Sequence, residues 1–111
     1  MITREGKVKL KGLIKSEFTT YKVGSGGDST NPNAGDLDSP LGSGSVTAIE
    51  TGLTTLEYNI QILGSNYLGQ TIKEVGIFNS AGDILIRTNY DGFGPLTSTD
   101  VVNFIITIEV D

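Results

Sequence analysis

The sequence predicts a single small all-β domain over residues 1–111, a β-sandwich or open barrel of about seven short antiparallel strands with one long Gly/Ser/Asp-rich loop at 24–45. Three observations predict it. Apolar and polar residues alternate over Leu56–Ile62 and again over Val102–Val110, the period of a half-buried strand. No window sustains a 3.6-residue apolar period. Fifteen glycines in 111 residues, together with many Ser and Thr, break the chain into short segments separated by turns. A chain of this length suffices for one core and not for two.

In order along the chain, Lys7 to Lys15 reads as a first strand. Val8 and Leu10 face one way and Lys7, Lys9 and Lys11 the other, with a bulge at Gly12 before Leu13 and Ile14. Lysines on an outer face discourage unwanted edge pairing. Phe18 to Val23 leans toward a second strand. Residues 24–45 are a long loop by composition, with Leu37 and Leu41 as its two large apolar residues and so its anchors to the body.

Val46 to Thr51 forms a short strand, and Leu56 to Ile62 turns Leu56, Tyr58, Ile60 and Ile62 inward. Gly64-Ser65-Asn66 is a turn, and Tyr67 to Thr71 suits a single helical turn. Thr71–Phe78 and Ile84–Thr88 form a hairpin around Asn79-Ser80-Ala81-Gly82-Asp83, with Gly82 at the left-handed position. A second Gly-rich loop, Tyr90 to Pro95, leads to the last strand. There is no internal repeat.

Composition excludes whole classes of chemistry. The chain has no Cys and no His, which removes thiolate nucleophiles, Ser-His-Asp and Cys-His arrangements, and zinc sites of the usual ligand type. No apolar run is long enough to span a bilayer and no secretory leader follows Met1, so neither a membrane nor export is expected. Net charge is −5, unevenly placed. Residues 1–22 carry six Lys or Arg against two Glu, a net +4, whereas residues 23–111 carry Lys73 and Arg87 against eleven acids, a net −9. An acidic body argues against nucleic acid as a partner, while the basic arm suits an acidic protein surface, a second copy included.

The remaining candidates for chemistry each have a structural reading beside them. Glu74, in a strand among apolar residues, could do proton work if its environment shifted its pKa. Without a partner acid or base, such a carboxylate serves more often as an acceptor for backbone N–H groups or for a cation. Asp28, Asp36 and Asp38, with Asn31 and Asn33, make an oxygen-rich loop, but their spacing matches no calcium loop, and Asx residues are good turn formers. Gly24-Ser25-Gly26-Gly27 lacks the following helix and Lys-Ser or Lys-Thr of a phosphate loop. Tyr58, Tyr67, Tyr90 and Phe93 could stack on a sugar, though Tyr58 belongs to the core and loop aromatics more commonly anchor protein contacts. No catalytic, cofactor-binding or metal-ligating set is therefore assigned, and the chain is not expected to be an enzyme.

Residues 71–88, TIKEVGIFNSAGDILIRT, resemble the E-h-G-h-F…G segment near the start of tail-fibre and tail-collar proteins of tailed bacteriophages. Glu74, Gly76, Phe78 and Gly82 carry that resemblance, and FTTYKVGSGG at 18–27 and the alternating segment Val101–Val110 extend it. The resemblance implies a virion protein, made in the host cytoplasm, that attaches by protein–protein contacts to other virion proteins and to copies of itself, as a trimer or hexamer. In a fibre protein the chain continues into a shaft, whereas here it ends at Asp111; a small tail, baseplate or collar adaptor is the expectation. A capsid or tail decoration protein and a receptor- or carbohydrate-binding module are the alternatives. The expected contact residues are Lys7, Lys9 and Lys11 on the first segment, Leu37 and Leu41 in the long loop, and Tyr90 and Phe93.

Overall fold

The computed structural model describes residues 1–27 and 35–111. Its elements, in chain order, are helix α1 (Arg4–Glu17) and strands β1 (Thr20–Gly24), β2 (Pro40–Ser45), β3 (Ile49–Glu50), β4 (Thr55–Leu63), β5 (Ile72–Phe78), β6 (Ile84–Phe93) and β7 (Val101–Glu109), with a 3-10 turn at Gly64–Asn66. The seven strands form two antiparallel sheets, ordered β2-β1-β5-β6 and β3-β4-β7. The fold is an open, sandwich-like, mostly β arrangement, as composition and alternation predict, with one helix that they do not.

The core lies between the sheets. Val23, Val75 and Ile77 from the larger sheet join Leu56, Tyr58, Ile60, Ile62, Phe104 and Ile106 from the smaller. In β4 every even-numbered residue from Leu56 to Ile62 is buried, so the alternation read from the sequence is the alternation of the pleat. The Asn79–Asp83 connection also forms as expected. Asn79 accepts from the Asp83 N–H at 2.7 Å and donates to its carboxylate at 2.9 Å, while Gly82 takes φ +90°.

Four local expectations are corrected. Residues 7–15 are not a strand but the middle of α1. Lys7-Val8-Lys9-Leu10-Lys11 alternates over five residues, too short a window to separate the two periods. The decisive local signals lie at the margins and in propensity. Thr3 caps the helix by accepting from the Gly6 N–H at 3.1 Å, Glu5 sits in the first turn and Lys15 in the last, and Lys, Leu and Glu are good helix formers. Gly12 is tolerated inside the helix at a cost of about 1 kcal/mol relative to Ala.

The 24–45 loop is shorter than composition suggests. Pro40–Ser45 pairs with β1 despite two glycines, because Gly42 and Gly44 make room for the Tyr67 and Tyr21 rings. Of Val46–Thr51, only Ile49–Glu50 forms a strand, although Val46 and Ala48 are buried. Tyr90 to Phe93 is the end of β6 rather than a loop.

Candidate functional site

The outer face of the larger sheet, away from the core, holds the most organised polar cluster in the described chain. Register places Lys22 beside Gly76, Gly24 beside Glu74, Gly76 beside Arg87 and Glu74 beside Asn89. Glu74 is fully buried, although it faces away from the inter-sheet core. Its carboxylate accepts from three backbone N–H groups: Gly26 at 2.7 Å and Ser39 at 2.8 Å on Oε2, and Asp38 at 2.8 Å on Oε1. Bonds of this kind to a carboxylate are among the stronger ones in proteins, and three satisfy most of its acceptor capacity. Both ends of the 25–39 connection are thereby held on one side chain.

The flanking residues complete the clamp. The Arg87 guanidinium bonds Asp38 Oδ1 at 3.2 Å, and Lys22 Nζ bonds Asp36 Oδ1 at 3.2 Å while standing 4.3 Å from the centre of the Phe78 ring. Asn89 donates to the Gly26 carbonyl at 3.1 Å. Leu37, 5% exposed, and the Phe78 ring lie over Gly76, where a Cβ would stand 3.1 Å and 2.7 Å from them. At Gly24 a Cβ would stand 2.5 Å from the Ser39 carbonyl and 2.6 Å from the Glu74 carboxylate. The glycines therefore serve close approach of the loop to the sheet. Arg87 Nη2 and Asn89 Oδ1 are buried beneath the loop with no hydrogen-bond partner among the described residues.

Glu74, Gly76 and Phe78 thus meet in one place, and Gly82 stands apart in the hairpin. Sequence reading singles out Glu74 as an acceptor either for backbone N–H groups or for a cation; its donors are backbone N–H groups, from positions 26, 38 and 39. It did not find Lys22, Arg87 or Asn89 as members, since only the register of β1, β5 and β6 brings them together. Asp28, Asn31 and Asn33 lie outside the described residues. Asp36 and Asp38, read as possible cation ligands, face Lys22 and Arg87, and the described residues contain no group of three or more His, Cys, Asp or Glu side chains able to hold a metal.

The seven expected contact residues are dispersed. Lys7, Lys9 and Lys11 share no single face, because they sit on a helix. Lys11 is 6% exposed; its ammonium bonds Glu50 at 2.9 Å and the Gly52 carbonyl at 3.3 Å. Lys15 reaches the same carboxylate at 3.8 Å, and the two ammonium groups, Lys11 foremost, hold the Glu50 carboxyl below its usual range. Leu37 is buried over Gly76, and Leu41 is half-buried against the core. Tyr90 and Phe93 form a triangle with Phe104, with ring centres 5.1 to 5.7 Å apart and tilted or edge-on, a packed cluster rather than a flat stacking platform. Phe93 keeps 41% of its surface exposed, whereas burial raises the Tyr90 phenol above its ordinary pKa.

Large apolar side chains are exposed elsewhere: Leu10 and Leu13 on α1, Leu53 beside it, and Val101 and Ile105 on β7. No described helix is long and apolar enough to cross a membrane. Neither a scan against protein-family models nor a search of curated proteins returns a match to the chain.

Proposed function

We propose that the protein is a structural component of a tailed-phage virion, a small tail, baseplate or collar attachment domain that works through contacts with other virion proteins and with copies of itself. One observation carries the reading. The two stretches that carry the resemblance, 18–27 and 71–88, are physically one unit, with Glu74 of the second bonded to the backbone of the first at Gly26. Glu74, Gly76 and Phe78 of the motif support a loop on the sheet, a geometry suited to presenting a shaped surface. Exposed apolar side chains on α1 and β7 suit burial against neighbours. Against a carbohydrate-binding reading stands the tilted and edge-on packing of Tyr90, Phe93 and Phe104 on one another, which presents no flat stacking platform.

Mass spectrometry of purified virions from the phage that encodes the chain tests the proposal. Peptides of this protein at a stoichiometry comparable with known tail or collar proteins are the expected result. Their absence from intact particles, with the protein found only in the infected-cell lysate, would overturn it.

A further inference from the structure

The two sheets have four margins, and three of them are unsuited to pairing. β2 begins at Pro40, carries two glycines and slips register against β1 between Val23 and Gly24. β6 shifts register against β5 at two places. β3 is two residues long. β7 differs on every count: nine residues, paired with β4 throughout without a register shift, and free of Pro, Gly, Lys and Arg.

The direction of its backbone groups follows from the ladder. Val110 N–H donates to the Thr54 carbonyl at 2.9 Å, and Gly64 N–H donates to the Asp100 carbonyl at 2.7 Å, one at each end of the β4–β7 pairing. Hydrogen-bonded pairs alternate along an antiparallel ladder, so the even-numbered residues of β7 bond β4. The N–H and C=O groups of Val101, Asn103, Ile105, Thr107 and Glu109 point the other way, and no backbone partner for them is found among the described residues. The side chains of these same residues are exposed, Ile105 at 61% and Val101 at 52%.

An open ladder edge accepts one kind of occupant, an extended strand. From these features we infer that β7 pairs antiparallel with β7 of a second copy, about a two-fold axis at Ile105, joining two three-stranded sheets into one of six strands. The strand is self-complementary in that arrangement. Ile105 meets its own counterpart, Asn103 meets Thr107, and Val101 meets Glu109. Glu109, the strand's one charged residue, then lies about 27 Å along the ladder from its twin, so no like charges oppose each other. Every outward backbone group of β7 gains a partner, and the exposed Ile105 side chain packs against its counterpart at the axis, flanked on either side by an Asn103–Thr107 pair. Of the other margins only β6, at ten residues, matches β7 in length, and its two register shifts against β5 break the even edge that a partner strand needs, so the contact is symmetric rather than head-to-tail. The inference stands apart from the virion reading and rests on the strand edge alone.

Sedimentation of the purified chain from low to several hundred micromolar, with amide hydrogen exchange read residue by residue, tests it. The expected result is a species of twice the 11.7 kDa chain mass. Its Asn103, Ile105 and Thr107 amides should be protected at high concentration and lose that protection on dilution. Ile105→Lys sets two ammonium groups opposite each other at the axis and should return the mass to that of a monomer with an unchanged circular-dichroism spectrum. Thr107→Lys, at another exposed position, should weaken the dimer as well and keeps the test open should the first variant misfold. A wild-type monomer throughout the range would overturn the inference, as would an oligomer unaffected by both substitutions with those three amides unprotected.

Discussion

Glu74 and Gly26 stand 48 residues apart in the chain, yet the Gly26 N–H donates to Glu74 Oε2 at 2.7 Å, and the same oxygen accepts from Ser39 at 2.8 Å. A single buried carboxylate therefore substitutes for the partners that a loop lying on a sheet would otherwise draw from water. The arrangement is specific in charge and in shape, and each property can be tested separately.

Glu74→Gln retains the size of the side chain but turns one of its two oxygens into an NH2 group that faces N–H donors. At least one backbone donor then loses its acceptor. Unfolding in urea should show a loss of about 2–4 kcal/mol, and the amides of Gly26, Asp38 and Ser39 should exchange faster. A loss below the error of the extrapolation would mean that the clamp contributes nothing to stability.

Gly24→Ala tests shape. The added methyl meets the Ser39 carbonyl and the Glu74 carboxylate, and overpacking of this kind costs about 1–3 kcal/mol. Gly27→Ala is the matched control, because nothing among the described residues lies within 4 Å of its Cβ, and its effect should stay within about 0.5 kcal/mol. Equal effects at the two positions would show that the loop does not lie on the sheet as described.

Tyr58 joins the helix to the core, its hydroxyl donating to the Phe18 carbonyl at 2.8 Å from a ring with no exposed surface. Tyr58→Phe removes that bond and should cost about 1–2 kcal/mol at neutral pH. Burial also raises the Tyr58 phenol above its ordinary value of 10.0. The folded chain thus holds this proton more firmly than the unfolded one, and stability should fall as pH rises from 10 through the raised value. Tyr67, raised chiefly by burial with Tyr21 adding, and Tyr90 act in the same direction. Tyr58→Phe should therefore have the shallower alkaline slope of the two proteins.

The acid side depends on Glu50, whose carboxyl is lowered from 4.5 first by its bond to Lys11, then by the Lys11 and Lys15 charges. A depressed folded value means that its contribution is present above 4.5 and is lost as pH falls through the lowered value. Glu50→Gln should remove the part of the α1 amide protection, taken relative to intrinsic exchange, that the wild type loses as pH falls through the Glu50 titration. The wild type and the variant should converge at low pH and differ at neutral pH, whereas parallel profiles would rule out this pair as the link between helix and body.

Much of the fold was legible from local pattern. Leu56–Ile62 and Val102–Val110 needed only their alternation, because a strand with one buried face writes its register directly into the sequence. The hairpin at Asn79–Asp83 was legible from Gly82, since turn geometry is set by the residues of the turn itself. Residues 7–11 misled because five alternating positions satisfy two periods at once, and the Thr3 cap lay outside that window. Pro40–Ser45 misled because its composition is that of a loop, and it extends only because β1 stands beside it.

The sequence by itself determined an all-β domain, the inward residues of β4 and β7, and a chain without His or Cys chemistry, for these depend on composition and on a period of two. Only the tertiary structure decided that Glu74 holds positions 26, 38 and 39, that Lys22, Arg87 and Asn89 surround it, and that β7 stands at an open edge. Those facts depend on which strands become neighbours and in what register. That choice rests on burial summed over the whole domain, which no short stretch of sequence records.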